Sequence, residues 1–208
     1  MTTDPGPYRA LEVERKYDAD ATAMFPEWTT IPGVTRVGPP EDRALDARYF
    51  DTEDRALARA GVALRRRTGG NDAGWHIKGP RQGDARLELL WPLDDDDRMP
   101  QPVIDALADW AQPPFTPLAR IRNARRAYDL LDAAGGVVAE FVDDHVQATD
   151  LRTGTERAWR EWEMELGPAA PSDAAARTAF FAAVEQAVIA AGGRVAASDS
   201  KLARALGH

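Results

Sequence analysis

The chain has no cysteine, so disulfides and thiolate metal ligands are excluded and composition says nothing about redox compartment. It also lacks an apolar N-terminal run of signal-peptide length and any apolar stretch long enough to span a bilayer. Those absences predict a soluble, cytoplasmic protein with no membrane partner. No glycine-rich phosphate loop and no dinucleotide fingerprint occur, which removes two common nucleotide-binding devices. Positive charge is in deficit: 26 Lys and Arg stand against 34 Asp and Glu, a formal net charge of −8. That balance argues against nucleic acid as a partner.

What remains is globular. Of the 208 residues, 44% are hydrophobic and 29% charged, enough for one buried core and short for two. A single domain over residues 1–208 is therefore expected. The average charge conceals its placement, because arginine gathers in short stretches such as Arg65-Arg66-Arg67 and Arg120 to Arg126.

Residues 1–7 are polar and read as a loose start. From Tyr8 to Tyr17 the chain alternates, with Leu11 and Val13 on one side and Glu12, Glu14 and Lys16 on the other, the mark of a strand with unlike faces. Ala21 to Trp28 is expected as a short helix and Ala44 to Phe50 as a strand. Thr52 is placed to cap a helical turn that Gly61 closes. Strands follow at Val62–Thr68, Gly74–Lys78 and Ala85–Leu93, the first two joined by the turn Gly69-Gly70-Asn71-Asp72. Asp94 to Asp97 reads as a solvated loop without the spacing or glycine of a calcium loop, and Gln101 to Trp110 as a surface helix. Three long strands come after Pro117: Leu118–Leu131, Gly136–Thr149 and Thr155–Leu166. Ser172-Asp173 caps a helix to Ala191 whose Phe180, Phe181, Val184 and Val188 are spaced for burial. Val195 begins a short strand and Ser200 a final turn.

Several strands carry charge at alternate positions: Glu12/Glu14/Lys16, Arg65/Arg67, His76/Lys78, Arg86/Glu88 and Glu161/Glu163/Glu165. For any one strand, a sheet face in water explains the pattern. Such a face usually mixes Thr, Ser and Gln with Lys, whereas here nearly every position is Arg, Lys or Glu. If the sheet closes on itself, these charges line its interior. Buried charges persist only when paired or bound to ions, so such a lumen implies a highly charged ligand. Arginine and lysine converge on phosphates, and clustered carboxylates hold hard cations such as Mg²⁺ or Mn²⁺. Both together equip a protein for phosphate–metal chemistry. His76 and His145 lack metal-site spacing, and His76 shares the parity of Lys78 and is placed to touch the same ligand. Trp159, Trp162 and Phe141 are expected to fill the core or contacts between sheet and helix.

As an ordered set, these residues resemble the CYTH superfamily, the triphosphate tunnel metalloenzymes. Glu12-Val13-Glu14-Arg15-Lys16 matches its ExExK signature. Tyr49-Phe50-Asp51-Thr52, Leu64-Arg65-Arg66-Arg67, Trp75-His76-Ile77-Lys78-Gly79-Pro80 and Arg86-Leu87-Glu88 follow in the family's order. So do Arg122 to Arg125, Glu140 to Asp144, Glu161 to Glu165 and Ser200-Lys201. The resemblance implies an α+β fold, mainly antiparallel β: an eight-stranded closed β-barrel, the triphosphate tunnel, with flanking helices. It implies that Lys16, Arg65, Arg67, Arg86, Arg122 and Arg125 hold phosphates. Lys78 and Lys201 are placed at the scissile end, each either a base or a stabiliser of developing charge. Glu12, Glu14, Glu163 and Glu165 are implied to hold Mg²⁺ or Mn²⁺, joined by Glu88, Glu140, Asp143 or Glu161.

The sequence departs from the family at Asn123-Ala124-Arg125, where short tripolyphosphatases carry Lys-x-Arg; this removes a candidate catalytic lysine. The implied activity is hydrolysis of inorganic triphosphate to phosphate and pyrophosphate, because a tunnel charged from end to end suits a ligand that is all phosphate. The alternatives are a class IV adenylate cyclase, a hydrolase of thiamine triphosphate or a nucleoside triphosphate, and a non-catalytic polyphosphate-binding module. The expected partner is a small triphosphate or short polyphosphate, with monomer and homodimer both open. Equally open is whether the chain stands alone or is excised from a longer protein with a helical, histidine-rich domain.

Overall fold

The computed structural model describes residues 6–96, 98–198 and 200–208; residues 1–5 of the loose start and Asp97 of the acidic loop lie outside them. Among the described residues there are ten strands. They are β1 (Tyr8–Ala19), β2 (Arg36–Val37), β3 (Glu41–Asp51), β4 (Ala63–Thr68), β5 (Gly74–Gln82), β6 (Ala85–Pro92), β7 (Thr116–Leu131), β8 (Val137–Asp150), β9 (Glu156–Leu166) and β10 (Arg194–Val195). Four helices accompany them: α1 (Ala56–Arg59), α2 (Gln101–Ala106), α3 (Ala174–Ala190) and α4 (Lys201–Ala205). Eight strands pair antiparallel in the ring β1-β6-β5-β4-β3-β7-β8-β9, and β9 returns to β1, so the barrel closes. The seam falls within β1, where residues up to Val13 pair with β6 and residues from Glu14 pair with β9.

Closure sorts side chains by parity. On β1 the even residues point inward and the odd ones outward, where Tyr17 meets the helix α3. Phe180, Phe181, Val184 and Val188 of α3 bury against Phe141, Trp162 and Met164 on the outer faces of β8 and β9. Asp173 caps that helix by accepting from Ala176 N at 2.8 Å, a contribution of about 1 kcal/mol. A second outer layer puts α1 and α2 on β4, β5 and β6, with Val103 and Leu107 over Leu64, Trp75, Ile77 and Trp91. Asp51 and Thr52 start α1 together: Asp51 accepts from Leu57 N and Ala58 N at 3.0 Å each, and Thr52 Oγ from Ala56 N at 2.9 Å.

The fourth helix is inside. Leu202 and Ala205 of α4 pack on the inward-facing Ala47, Tyr49, Ile121, Val146 and Ala148, so this short helix stoppers one end of the barrel. Arg157 holds its far end through Ala205 O at 2.9 Å, and Arg204 reaches Asp18 at 2.5 Å.

One expected helix is absent. Ala21 to Trp28 holds no α-helix, only a 3-10 turn at Trp28–Thr30. Pro26 interrupts the run, and the Asp20 carboxylate takes Thr22 N at 3.0 Å and Thr22 Oγ at 2.7 Å, local bonds that compete with helix formation. Trp28 is buried there, its ring 4.6 Å from that of Phe141. No helix among the described residues is long and apolar enough to cross a membrane.

Candidate active site in the barrel lumen

The lumen is a cavity of about 300 Å³, closed at the α4 end. Its walls follow from strand parity. One wall, β1-β9-β8, is acidic: Glu14 pairs in register with Glu165, and Glu165 with Glu140, which sets three carboxylates in a row across neighbouring strands. Like charges placed opposite each other destabilise a sheet unless a cation offsets them. The other wall brings Arg43 from β3, Arg65 and Arg67 from β4, and Arg125 from β7 to the same cavity. The chain has only three lysines, Lys16, Lys78 and Lys201, and all three line this lumen.

Cations and carboxylates pair across the cavity. Lys78 Nζ lies 2.5 Å from Glu12 and 3.6 Å from Glu88. Lys16 bonds Glu14 at 3.2 Å and also pairs with Glu163. Arg125 makes a bidentate pair with Asp144 at 2.8 and 2.7 Å and donates to Glu163 at 2.7 Å. Arg43 grips Glu140 with both terminal nitrogens, at 3.1 and 2.9 Å. Burial opposes both the Lys78 and the Lys201 ammonium, yet surrounding carboxylates outweigh it and raise both pKa values. With their pKa values raised, both lysines are ammonium ions at neutral pH.

The pairing leaves two poles where burial and like charge outweigh the partners. At the acidic pole, burial pushes Glu12 up to about 8, helped by a hydrogen bond to Glu88, and pushes Glu165 up to about 7. At the basic pole, burial and the neighbouring Arg65 and Arg125 pull Arg67 down to about 9, although it pairs with Asp72 from the β4–β5 turn. A guanidinium stays charged at neutral pH, so this direction marks a cation crowded by other cations. The Nε donors of Arg43, Arg65 and Arg67 are buried with no acceptor among the described residues.

The carboxylates fit a hard divalent cation by donor type. Asp144, Glu161 and Glu163 bring oxygens within 4.8 Å of one another. Lys201 Nζ, however, already lies 2.9, 2.6 and 2.6 Å from the three, and Arg125 and Lys16 add two more cations to that nest. Glu12 and Glu165, on either side of Glu14, are the better fit, because burial and neighbouring carboxylates push both carboxyls up and a cation there would relieve them.

The family model for the CYTH domain matches residues 10–185. The chain belongs to the CYTH family. Two relatives from Mycobacterium tuberculosis, the uncharacterized proteins Rv2226 and MT2285, are each 40% identical over 98% of this chain. The match takes up 41% of either relative, so the chain spans about two-fifths of their length. Among solved structures, a Bacillus halodurans protein named as a candidate adenylate cyclase superposes with TM-score 0.62 at 17% identity, covering 94% of this chain and 97% of that one. PH1819 from Pyrococcus horikoshii gives 0.52 at 16% identity, covering 94% and 96%. HpAC1 from Hippeastrum, described as having a dominant triphosphatase activity, gives 0.51 at 16%, covering 93% of each. Such distant likenesses establish the tunnel fold.

Within this CYTH barrel, most of the expected site residues meet. Glu12, Glu14, Lys16, Arg65, Arg67, Lys78, Arg86, Glu88, Arg125, Glu140, Glu163, Glu165 and Lys201 all line the cavity. Glu161 sits deeper, against Lys201 at the α4 end. Arg86 stands at the rim, its guanidinium donating to Gly79 O at 2.6 Å and Gly61 O at 2.9 Å. Two expected residues are not brought there. Arg122 is exposed on the outer face of β7, and Asp143 points outward from β8 into a bidentate pair with Arg160 at 2.8 Å. Parity is the reason: Arg125 and Glu140 face inward, so residues an odd number of places away face out. The inward acid of that stretch is Asp144. His76 points inward too, but buried between Glu88 (2.7 Å) and Asp72 O (2.9 Å), below the cavity lining. Burial pulls the imidazole down to about 4, and its contact with Glu88 holds that carboxylate in place.

The lumen also contains residues that sequence reasoning passed over. Arg43 was hidden because β3 begins at Glu41, three residues before the expected start. Leu45, Ala47, Ala63 and Ile121 form an apolar strip on the β3–β4–β7 wall, with Asn123 beside them. The lumen is therefore not charged from end to end.

Proposed function

We propose that this CYTH domain is a metal-dependent triphosphatase whose preferred substrate is inorganic triphosphate, cleaved to phosphate and pyrophosphate. The observation that carries this reading is a pair of crowded poles: three buried guanidinium Nε donors without an acceptor among the described residues on one wall, and protonation-prone carboxylates on the other. A metal–triphosphate complex supplies acceptors to the first and positive charge to the second. A relative of the same fold, HpAC1, is described as having a dominant triphosphatase activity, which supports the reaction class.

In this reading Arg43, Arg65, Arg67, Arg125 and Lys16 take the phosphate oxygens, and Glu12, Glu14 and Glu165 hold Mg²⁺ or Mn²⁺. The ion, when bound, polarises a phosphoryl oxygen and acidifies a water. Lys78 and Lys201 remain ammonium ions and stabilise the negative charge that develops on the leaving oxygens. Arg125 orients its phosphate contact because Asp144 fixes two of its donors. The α4 stopper keeps bulk water from one end, which strengthens every charge interaction inside.

A second reading has its own observation. The strip Leu45, Ala47 and Ile121, with the Asn123 Oδ1 acceptor buried and unpartnered, suits an organic group that brings a hydrogen-bond donor. Incubation with tripolyphosphate or ATP, each with Mg²⁺ or Mn²⁺, separates the readings by product. Phosphate and pyrophosphate from tripolyphosphate support the proposal. Cyclic AMP with pyrophosphate and no phosphate would sink it, and tight binding without turnover would mark a non-catalytic binder.

A further inference from the structure

The turn between β4 and β5, residues 69–73, brings an acid of its own to the basic pole. It lies beyond the end of β4 that is farther from α4, since Ala63 at the start of that strand packs into the α4 cluster. Asn71 and Asp72 of the turn both line the cavity. The Asp72 carboxylate pairs with Arg67, the guanidinium that Arg65 and Arg125 crowd. A carboxylate there offers Arg67 the same kind of oxygen acceptor that a phosphate would.

The backbone of this turn is held at three points. Gly69 has a φ of 79°, and a Cβ there would collide with Ala44 O on β3, so the chain passes too close for any side chain. The Asn71 side chain bonds to Glu41 at the start of β3. His76, itself buried, meets Asp72 O at 2.9 Å through Nε2 and Glu88 at 2.7 Å through Nδ1, which ties the turn to β5 and β6. The Asp72 side chain is freer: it is 51% exposed, whereas that of Arg67 is 8% exposed. Rotation about χ1 carries the carboxylate from Arg67 into water and leaves the turn where it is.

We propose that Asp72 is a built-in stand-in for the substrate, holding Arg67 until a phosphate of the incoming triphosphate displaces it. The inference rests on the tunnel reading, in which Arg67 takes a phosphate. A buried guanidinium without a counter-ion is costly, so the free protein keeps an acid on it. A triphosphate carries more negative charge than one carboxylate and engages Arg43, Arg65 and Arg125 as well, so it wins the exchange. A singly charged anion gains no more than the carboxylate it must displace. Asp72 thereby sets how strongly an anion must bind before it holds Arg67, and His76 keeps the turn in place while the side chain moves.

The test is a double-mutant cycle on the full chain, reading the affinity for tripolyphosphate with Mg²⁺ by calorimetric titration. Asp72→Asn is expected to tighten binding by about tenfold, and Arg67→Ala to weaken it by at least about tenfold. In the Arg67→Ala background, Asp72→Asn should change nothing further, because the contact it relieves is gone. Asp42→Asn, which removes an exposed acid paired with Arg126 outside the lumen, should stay within about twofold of the parent. Unchanged or weaker binding in Asp72→Asn, with Arg67→Ala still impaired, overturns this inference and leaves the tunnel reading standing. A gain that persists without Arg67, or that Asp42→Asn matches, would be a general charge effect and overturns it too. Unchanged affinity in Arg67→Ala would remove Arg67 from the phosphate site and overturn both.

Discussion

Arg125 and Arg122 lie three residues apart on β7 and occupy unlike environments. Arg125 is half-buried and locked to Asp144 and Glu163, and those acids hold its pKa well above the ordinary value despite desolvation. Arg122 is exposed, in register with Asp46, which Arg120 engages. The same split divides Asp144 from Asp143 on β8. Inside, each charge is fixed by partners and awaits a ligand that can exchange with them; outside, charge is solvated and contributes little on its own. Residue type therefore says less than parity.

The contrast can be broken or sharpened by experiment, the largest effect first. Glu14→Gln, which removes an inward carboxylate beside Lys16, is expected to lower tripolyphosphate turnover by about a thousandfold, read from phosphate release with Mg²⁺. Retained turnover would mean that the acidic wall does not take part.

The acidic pole also predicts a pH dependence. Glu12, pushed up to about 8, and Glu165, up to about 7, hold protons in the folded chain that the unfolded chain releases near pH 4–5. Their contribution to metal-free stability is therefore present below about pH 4.5 and lost as pH rises to about 8. A cation bound there must displace those protons, so its affinity rises over the same window. Thermal melts with EDTA and with Mg²⁺ are expected to diverge as pH increases, and Glu12→Gln to reduce the divergence. A gap that stays constant with pH would contradict this.

A smaller effect is expected from Asn123→Lys, which adds an ammonium next to Arg125 and the apolar strip. It should lower KM for tripolyphosphate several-fold and raise it for an organic triphosphate; a change of equal size and sign for both would remove Asn123 from specificity. The smallest effect belongs to Arg122→Ala, where tripolyphosphate kcat/KM should move by less than about twofold, as for other solvated surface charges.

Much of this was legible before the fold was known. The alternation of Glu12, Glu14 and Lys16, of Arg65 and Arg67, and of Glu161, Glu163 and Glu165 carried both the strands and the inward face, because a period of two is a local property. Arg122 and Asp143 went astray where residue type was allowed to outweigh that period; counting from Arg125 and Glu140 would have returned Asn123 and Asp144. Arg43 was missed because its strand starts directly after Pro39-Pro40, where turn signals mask the pattern. The α4 stopper was not legible at all. It rests on Leu202 and Ala205 meeting residues 54 to 158 positions earlier in the chain, such as Tyr49 and Val146, a long-range contact with no local signature.

The central claim is that the inward arginines bind the triphosphate rather than hold the barrel together. Calorimetric titration of tripolyphosphate with Mg²⁺ into the parent chain and into Arg65→Ala tests it most directly. Among the described residues the hydrogen bonds of Arg65 are long, 3.3 Å to Glu88 and 3.5 Å to Tyr49, and one buried donor has no acceptor. The account predicts affinity lower by about tenfold to a hundredfold, as for loss of a charged hydrogen bond, with the ligand-free melting temperature nearly unchanged. Unchanged affinity, or a melting temperature lower by several degrees, would contradict it.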